Sequence, residues 1–365
     1  MGAIGLALGS TLLTLFAIEA TLRWSAWRTE QRAVAMLANA DPPAIPPGTK
    51  VELHQVLAPS RHHDRVFKLQ KGLRQAVFCG GSFSTNNRGF RGPDVTESKP
   101  PETVRIVGIG DSVMFGWGVN DGDTYLSRLQ VSLNALYPSR RWETVNTAVP
   151  GYSAHMEVAT LEEAALDLRP DVVIYGYCIN DLELPRFLQR RQDHLTLTRS
   201  YLVDFIRERR FRGRHSAGED LVGLTRADRR LWNDCDPETV PPEYAHMVGL
   251  GALERALDRL EELSRTRAFR AVVLAHPPVL PEHDVLLRAR FSVVYTEPLI
   301  ERYLETHGIE KLEESPLIVG HACSGRSLDL HPSAEGHALI LQALLDGVRW
   351  EALAEPQSLA PGSRR

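Results

Sequence analysis

VRIVGIGDSVMFGWGV occupies residues 104–119, and its first seven residues are a short, largely β-branched run that stops on glycine, aspartate and serine. A buried strand running into a glycine-rich turn has this texture. Working outward, TYLSRLQVSLNALY (residues 124–137) has the apolar spacing of a helix, WETVNTAV (142–149) reads as a strand, EVATLEEAALDL (157–168) as a helix and DVVIYGY (171–177) as a strand. Strands alternating with helices predict a doubly wound α/β fold with a parallel central sheet. The pattern lapses after Asp181 in an Arg-rich insertion over about residues 183–250, which reads equally as a lid or as a solvated excursion. It resumes with ALERALDRLEELSRT (252–266), RAVVLAHPP (270–278) and a closing helix over residues 334–350, after which residues 351–365 look like a flexible tail.

Upstream lies GAIGLALGSTLLTLFAIEATL (residues 2–22), an apolar run interrupted by one charge, Glu19, and followed by Trp24, Trp27, Arg23 and Arg28. A bilayer needs roughly 20 such residues, so residues 1–25 are expected to form a transmembrane anchor. The basic flank after the span favours a cytoplasmic catalytic domain under the positive-inside rule. Residues 26–103 read as a proline-rich linker, with DPPAIPPG at 41–48, and an irregular lead-in holding one hairpin around GGSFSTNNRGFRGPD.

Composition bounds the function. With 43% hydrophobic and 24% charged residues in 365, the chain has ordinary globular material, which excludes a disordered protein. A net charge of -4 provides no field for nucleic acid, and none is expected as a partner. The four cysteines (Cys79, Cys178, Cys235, Cys323) lack CxxC spacing, so no metal is expected. Buried free thiols are the plain reading, and in an oxidising compartment Cys235 with Cys323 is the candidate pair.

Ser112 falls at the carboxyl edge of the first core strand, where open α/β sheets bind ligands. Asp111 and Ser112 also suit a plain helix N-cap. A dinucleotide fingerprint fails because Val113 stands where the third glycine belongs, and the α/β-hydrolase elbow fails because Met114 replaces its second glycine. Near the end, Asp329-Leu330-His331-Pro332 offers an imidazole with a carboxylate beside it. A serine becomes a useful nucleophile when a histidine takes its proton and a carboxylate orients that histidine. NTAVPG (146–151) and Asn180-Asp181 follow the next two strands, and the N–H groups of Ser112 and Gly151 with the Asn180 amide make a candidate oxyanion hole. Taken singly, these glycines and asparagines are ordinary turn formers, and His337 is an ordinary histidine.

Together, GDS at Ser112, Gly151, Asn180 in an N-D pair and His331 in DLHP resemble the SGNH (GDSL-like) hydrolases over residues 104–350, in their bacterial membrane-anchored branch. The resemblance implies a flavodoxin-like α/β/α sandwich, nucleophile Ser112, base His331, and an oxyanion hole of Ser112, Gly151 and Asn180, with no cofactor. Two residues depart from the pattern: the acid usually lies three residues before the histidine, where Leu328 stands, and Cys178 replaces the glycine of G-x-N-D. Asp329 is then the acid. The resemblance also implies an extracytoplasmic esterase or deacetylase acting on an O-acetylated cell-envelope glycan. Two alternatives stand beside it: a polysaccharide O-acetyltransferase of the same fold, and a catalytically silent glycan-binding scaffold.

Overall fold

In the computed structural model, a five-stranded parallel sheet forms the centre. The structure describes residues 2–38, 43–185, 188, 200–203, 205–206, 240–321, 323 and 328–354. A first helix, α1 (Gly2–Ala38), is followed by a short α2 (Leu53–Val56) and two antiparallel pairs, β1 (Leu57–Pro59) with β2 (Phe67–Leu69) and β3 (Ala76–Phe78) with β4 (Gly81–Phe83). Next come β5 (Thr103–Gly110), α3 (Ser112–Phe115), α4 (Tyr125–Leu136), β6 (Arg141–Asn146), α5 (Ala154–Thr160) and β7 (Val172–Tyr177). The chain then supplies α6 (Leu250–Arg267), β8 (Arg270–Ala275), α7 (Pro281–Arg288), β9 (Ser292–Tyr295), α8 (Glu297–His307), β10 (Ile318–Gly320), β11 (Asp329–Pro332) and α9 (Ala334–Gly347).

The sheet order is β6-β5-β7-β8-β9, every pair parallel. This is the flavodoxin-like order, whose switch point lies at the carboxyl end of β5. Alternate residues of each strand feed opposite layers. Ile106, Ile174 and Leu274 pack with Leu126, Leu129, Ile340 and Leu344 of α4 and α9, while Val107, Val173 and Val273 pack with Val158, Leu257 and Leu260 of α5 and α6. The glycines of VGIG let α3 sit against the strand ends: a Cβ on Gly110 would lie 2.7 Å from the Met114 Cβ, and one on Gly108 2.5 Å from a Leu126 methyl.

Several expectations need correction. Among the described residues no helix is long and apolar enough to cross a membrane, so the anchor read over residues 2–22 is not supported. The helix runs unbroken past residue 25 to Ala38, and Glu19 is engaged, pairing with Arg23 and accepting hydrogen bonds from the N–H groups of Tyr201 and Leu202. The lead-in holds two strand pairs instead of one hairpin. Cys79 is bonded to Cys323, not Cys235 to Cys323, and Cys178 is a buried free thiol. Cys235, most of the insertion and residues 355–365 lie outside the described residues.

Candidate active site

Ser112 opens α3 directly beyond β5, so its position follows from the strand's end. Asp111 is the N-cap, its Oδ1 accepting from the Val113 N–H at 2.9 Å, and Asp111 is fully buried. The N-cap reading therefore holds for Asp111, the residue before Ser112. The other Asp111 oxygen, Oδ2, accepts from the Asn180 amide at 3.0 Å and lies 3.2 Å from the Ser112 hydroxyl.

His331 reaches Ser112 from β11, with Nε2 2.8 Å from Oγ. On the far side of the ring, Nδ1 lies 2.6 Å from Asp329 Oδ1, which also accepts from the His331 backbone N–H at 3.1 Å. A carboxylate there fixes the proton on Nδ1 and leaves the Nε2 lone pair facing the serine. Asp329 and His331 are two apart on a strand, so both side chains project to the same face while Leu330 is exposed. The D-x-H spacing thus brings a carboxylate onto His331 Nδ1 although Leu328 stands where the acid is usual.

Asp329 has a further partner that the sequence reading missed. The Trp117 indole N–H donates to Asp329 Oδ2 at 2.8 Å, and the same ring stacks on His331 with centroids 4.7 Å apart. Burial works against the Asp329 charge, yet the bonds from His331 and Trp117 outweigh it and hold the carboxyl below its ordinary range. Arg91 was also missed. It comes from the lead-in, is buried, and its guanidinium donates to the carbonyls of Phe115, Gly116 and Val119 while pairing with Asp121 at 3.0 Å. These carbonyls lie at the end of α3 and in the turn that follows it. The lead-in thus clamps α3 from below.

Gly151 lies in the turn between β6 and α5 with φ +83°, a left-handed conformation that favours glycine. The loop before it is stitched to the serine's strand, since the N–H groups of Thr147 and Val149 donate to the carbonyls of Gly108 and Gly110 at 3.0 and 3.2 Å. Asn146 ties in too, its amide donating to the Met114 carbonyl at 2.9 Å. Cys178 is buried at the end of β7, and burial pushes its thiol well up. Below it, Glu157 and Asp181 are buried carboxyls whose pKa values are raised, by burial first and then by neighbouring acids.

Ser112, His331 and Asp329 thus lie hydrogen-bonded in a row at the switch point of a doubly wound sheet. The sequence matches the model of the GDSL-like lipase/acylhydrolase family over residues 109–339, more than half of the chain, and the chain belongs to that family. It is an ester-hydrolysing enzyme. Among solved structures, it is similar to a two-domain esterase (CEX) active on acetylated mannans, with 14% identity over 71% of this chain and a TM-score of 0.41. The chain spans 52% of that esterase's length. It is also similar to TesA (11% identity, 67% of this chain and 98% of that one, TM-score 0.39). A third is an acetylxylan esterase, Axe2, from Geobacillus stearothermophilus (17% identity, 70% of this chain and 98% of that one, TM-score 0.37). At these scores the likenesses decide nothing about substrate. No match was found among curated proteins.

Proposed function

We propose that this enzyme cleaves a small O-acyl ester, an acetyl group on a glycan, through an acyl-enzyme at Ser112. The observation that carries the reading is the continuous link from Ser112 Oγ through the imidazole to Asp329, at 2.8 and 2.6 Å. His331 takes the Ser112 proton as Oγ attacks the acyl carbon, and Asp329 stabilises the imidazolium that forms. The oxyanion is met by the N–H groups of Ser112 and Gly151 and by the Asn180 amide hydrogen not engaged with Asp111. Collapse expels the sugar alkoxide, which takes its proton from Nε2. Water then attacks the acyl-enzyme with His331 again as base, releasing the acid. The linked Ser112, His331 and Asp329 support catalysis over a silent scaffold.

The glycan part rests on the resemblance of the sequence to envelope-associated members. We place the catalytic domain outside the cytoplasm. The Cys79–Cys323 disulfide supports this, since such bonds persist in oxidising compartments.

The test pairs p-nitrophenyl acetate turnover with fluorophosphonate labelling in the parent, Ser112→Ala and His331→Ala, alongside acetate release from acetylated xylo-oligosaccharides. Labelling lost only in Ser112→Ala supports the nucleophile. A folded parent that neither labels nor turns over overturns the mechanism. Ester turnover with no acetate released from the glycan removes the substrate half alone.

A further inference from the structure

His276 is the first residue beyond β8, whose neighbour β7 runs on to Asn180. Its N–H donates to the Tyr177 carbonyl at 3.0 Å, continuing the β7–β8 ladder past the end of the strand. Ligands of open α/β sheets lie in the crevice outside the carboxyl ends of the strands, and the acyl transfer described above uses nothing from this one. The ring is tethered on one side only. Nδ1 lies 3.2 Å from the hydroxyl of Thr296, a buried residue whose Oγ1 is also 3.3 Å from the Ala275 carbonyl. Nε2, on the other side, reaches solvent and has no hydrogen-bond partner among the described residues.

We propose that His276 binds the alcohol part of the substrate, its Nε2 pairing with a hydroxyl beside the scissile ester. This rests on the esterase reading above, in which the acyl group is acetyl and brings no hydroxyl of its own. The ring stands against the nucleophile's turn, because it lines one small cavity together with Tyr177 and Val113, the residue after Ser112. That cavity measures about 10 Å³, room for a single water. A substrate group therefore meets the ring from its solvent side, where Nε2 is.

The chemistry of the ring selects the partner. A hydroxyl both donates and accepts, so it matches Nε2 whichever ring nitrogen carries the proton. Burial, and then the nearby charge of His331, pushes the His276 pKa down to about 4. The ring is neutral at neutral pH, and it sets no positive charge against the imidazolium that forms on His331. A neutral ring also offers no counter-charge to a carboxylate or phosphate beside the ester. The alcohol that fits is an uncharged polyol. His276 takes no proton in the reaction; it discriminates between alcohols.

The experiment measures kcat/KM of the full chain for glycerol 1-acetate and for propyl acetate, which share a carbon skeleton and differ in the hydroxyls of the alcohol. Parent, His276→Phe, His276→Gln and Thr296→Val are compared. The readout is the ratio of the two constants within one enzyme, from which any loss common to both esters cancels. A hydrogen bond between neutral groups corresponds to about two- to tenfold, so the ratio should fall by that much in His276→Phe. It should be largely kept in His276→Gln, whose amide still meets a hydroxyl, and fall partway in Thr296→Val, which unties Nδ1. A ratio equal to the parent's in His276→Phe overturns the proposal; if that variant does not fold, an unmoved ratio in Thr296→Val does so. A parent that cleaves neither ester and takes no fluorophosphonate at Ser112 overturns the esterase reading itself, and the proposal falls with it.

Discussion

Replacing Trp117 with phenylalanine isolates one hydrogen bond. The smaller ring keeps a stacking face for His331 and an edge for Phe78, whose ring lies 4.5 Å away, but it cannot donate to Asp329 Oδ2. A hydrogen bond to a charged group contributes about 1.5–3 kcal/mol. Asp329 keeps two bonds to His331, through the backbone N–H and Nδ1, so the acid stays in place and the loss falls at the low end. About 1.4 kcal/mol is tenfold in rate, so kcat for p-nitrophenyl acetate should fall about tenfold with KM unchanged. Trp117 is a positioning residue and touches no substrate. Asp329→Asn sets the scale, since it leaves the imidazole with the wrong tautomer and should cost on the order of 10³–10⁴. A Trp117→Phe enzyme within about twofold of the parent, measured beside a crippled Asp329→Asn, refutes the idea that the indole holds the acid.

Two further outcomes follow. Cys79→Ser frees the segment leading into β11 from the lead-in; the loop closed is long, so the chain-entropy limit is about 5 kcal/mol of stability, and the midpoint of unfolding in urea should drop while the slope rises as the unfolded chain expands. An unchanged midpoint would falsify a structural role for the bond. His276, His283 and His337 have pKa values pushed down by burial to about 4, 4 and 3. The unfolded chain takes up these protons near pH 6.5 and the folded chain refuses them, so each histidine destabilises the fold as pH falls through that window, by about 1.4 kcal/mol per pH unit. Glu157 and Asp181, with raised pKa values, pull the opposite way, so the readout is a difference between proteins. His337→Gln, which can still accept from the Tyr125 N–H, should flatten the stability curve by that amount between about pH 6 and pH 4.5, and an unaltered slope in denaturant titrations would count against it.

The core sheet was legible because its signals are local. A β-branched run ending on glycine at residues 104–110 reports its strand within eight residues, and alternation with helices then dictates the order. Ser112, Gly151 and Asn180 were read as the ends of such elements, and His331 from the DLHP run. The misses share one cause: they are contacts between distant parts of the chain. Trp117 and Asp329 are 212 residues apart, and Cys79 and Cys323 are 244 apart, so no spacing rule connects them. Arg91 looked like part of a turn-rich lead-in because its partners are carbonyls, which leave no trace in sequence. The apolar start of α1 was read as a span, yet no helix among the described residues is long and apolar enough to cross a membrane.

Among the described residues, the strand that carries Asp329 and His331 pairs only with β10, and that pairing contains an irregularity between Ile318 and Gly320. Side chains on a strand alternate strictly, so a slip of one residue turns both groups away from Ser112 at once. Acid and base therefore share a single failure mode: the site is either assembled with both or loses both. The register of this hairpin therefore decides both positions together, and the disulfide to Cys79 ties down the connection between its strands.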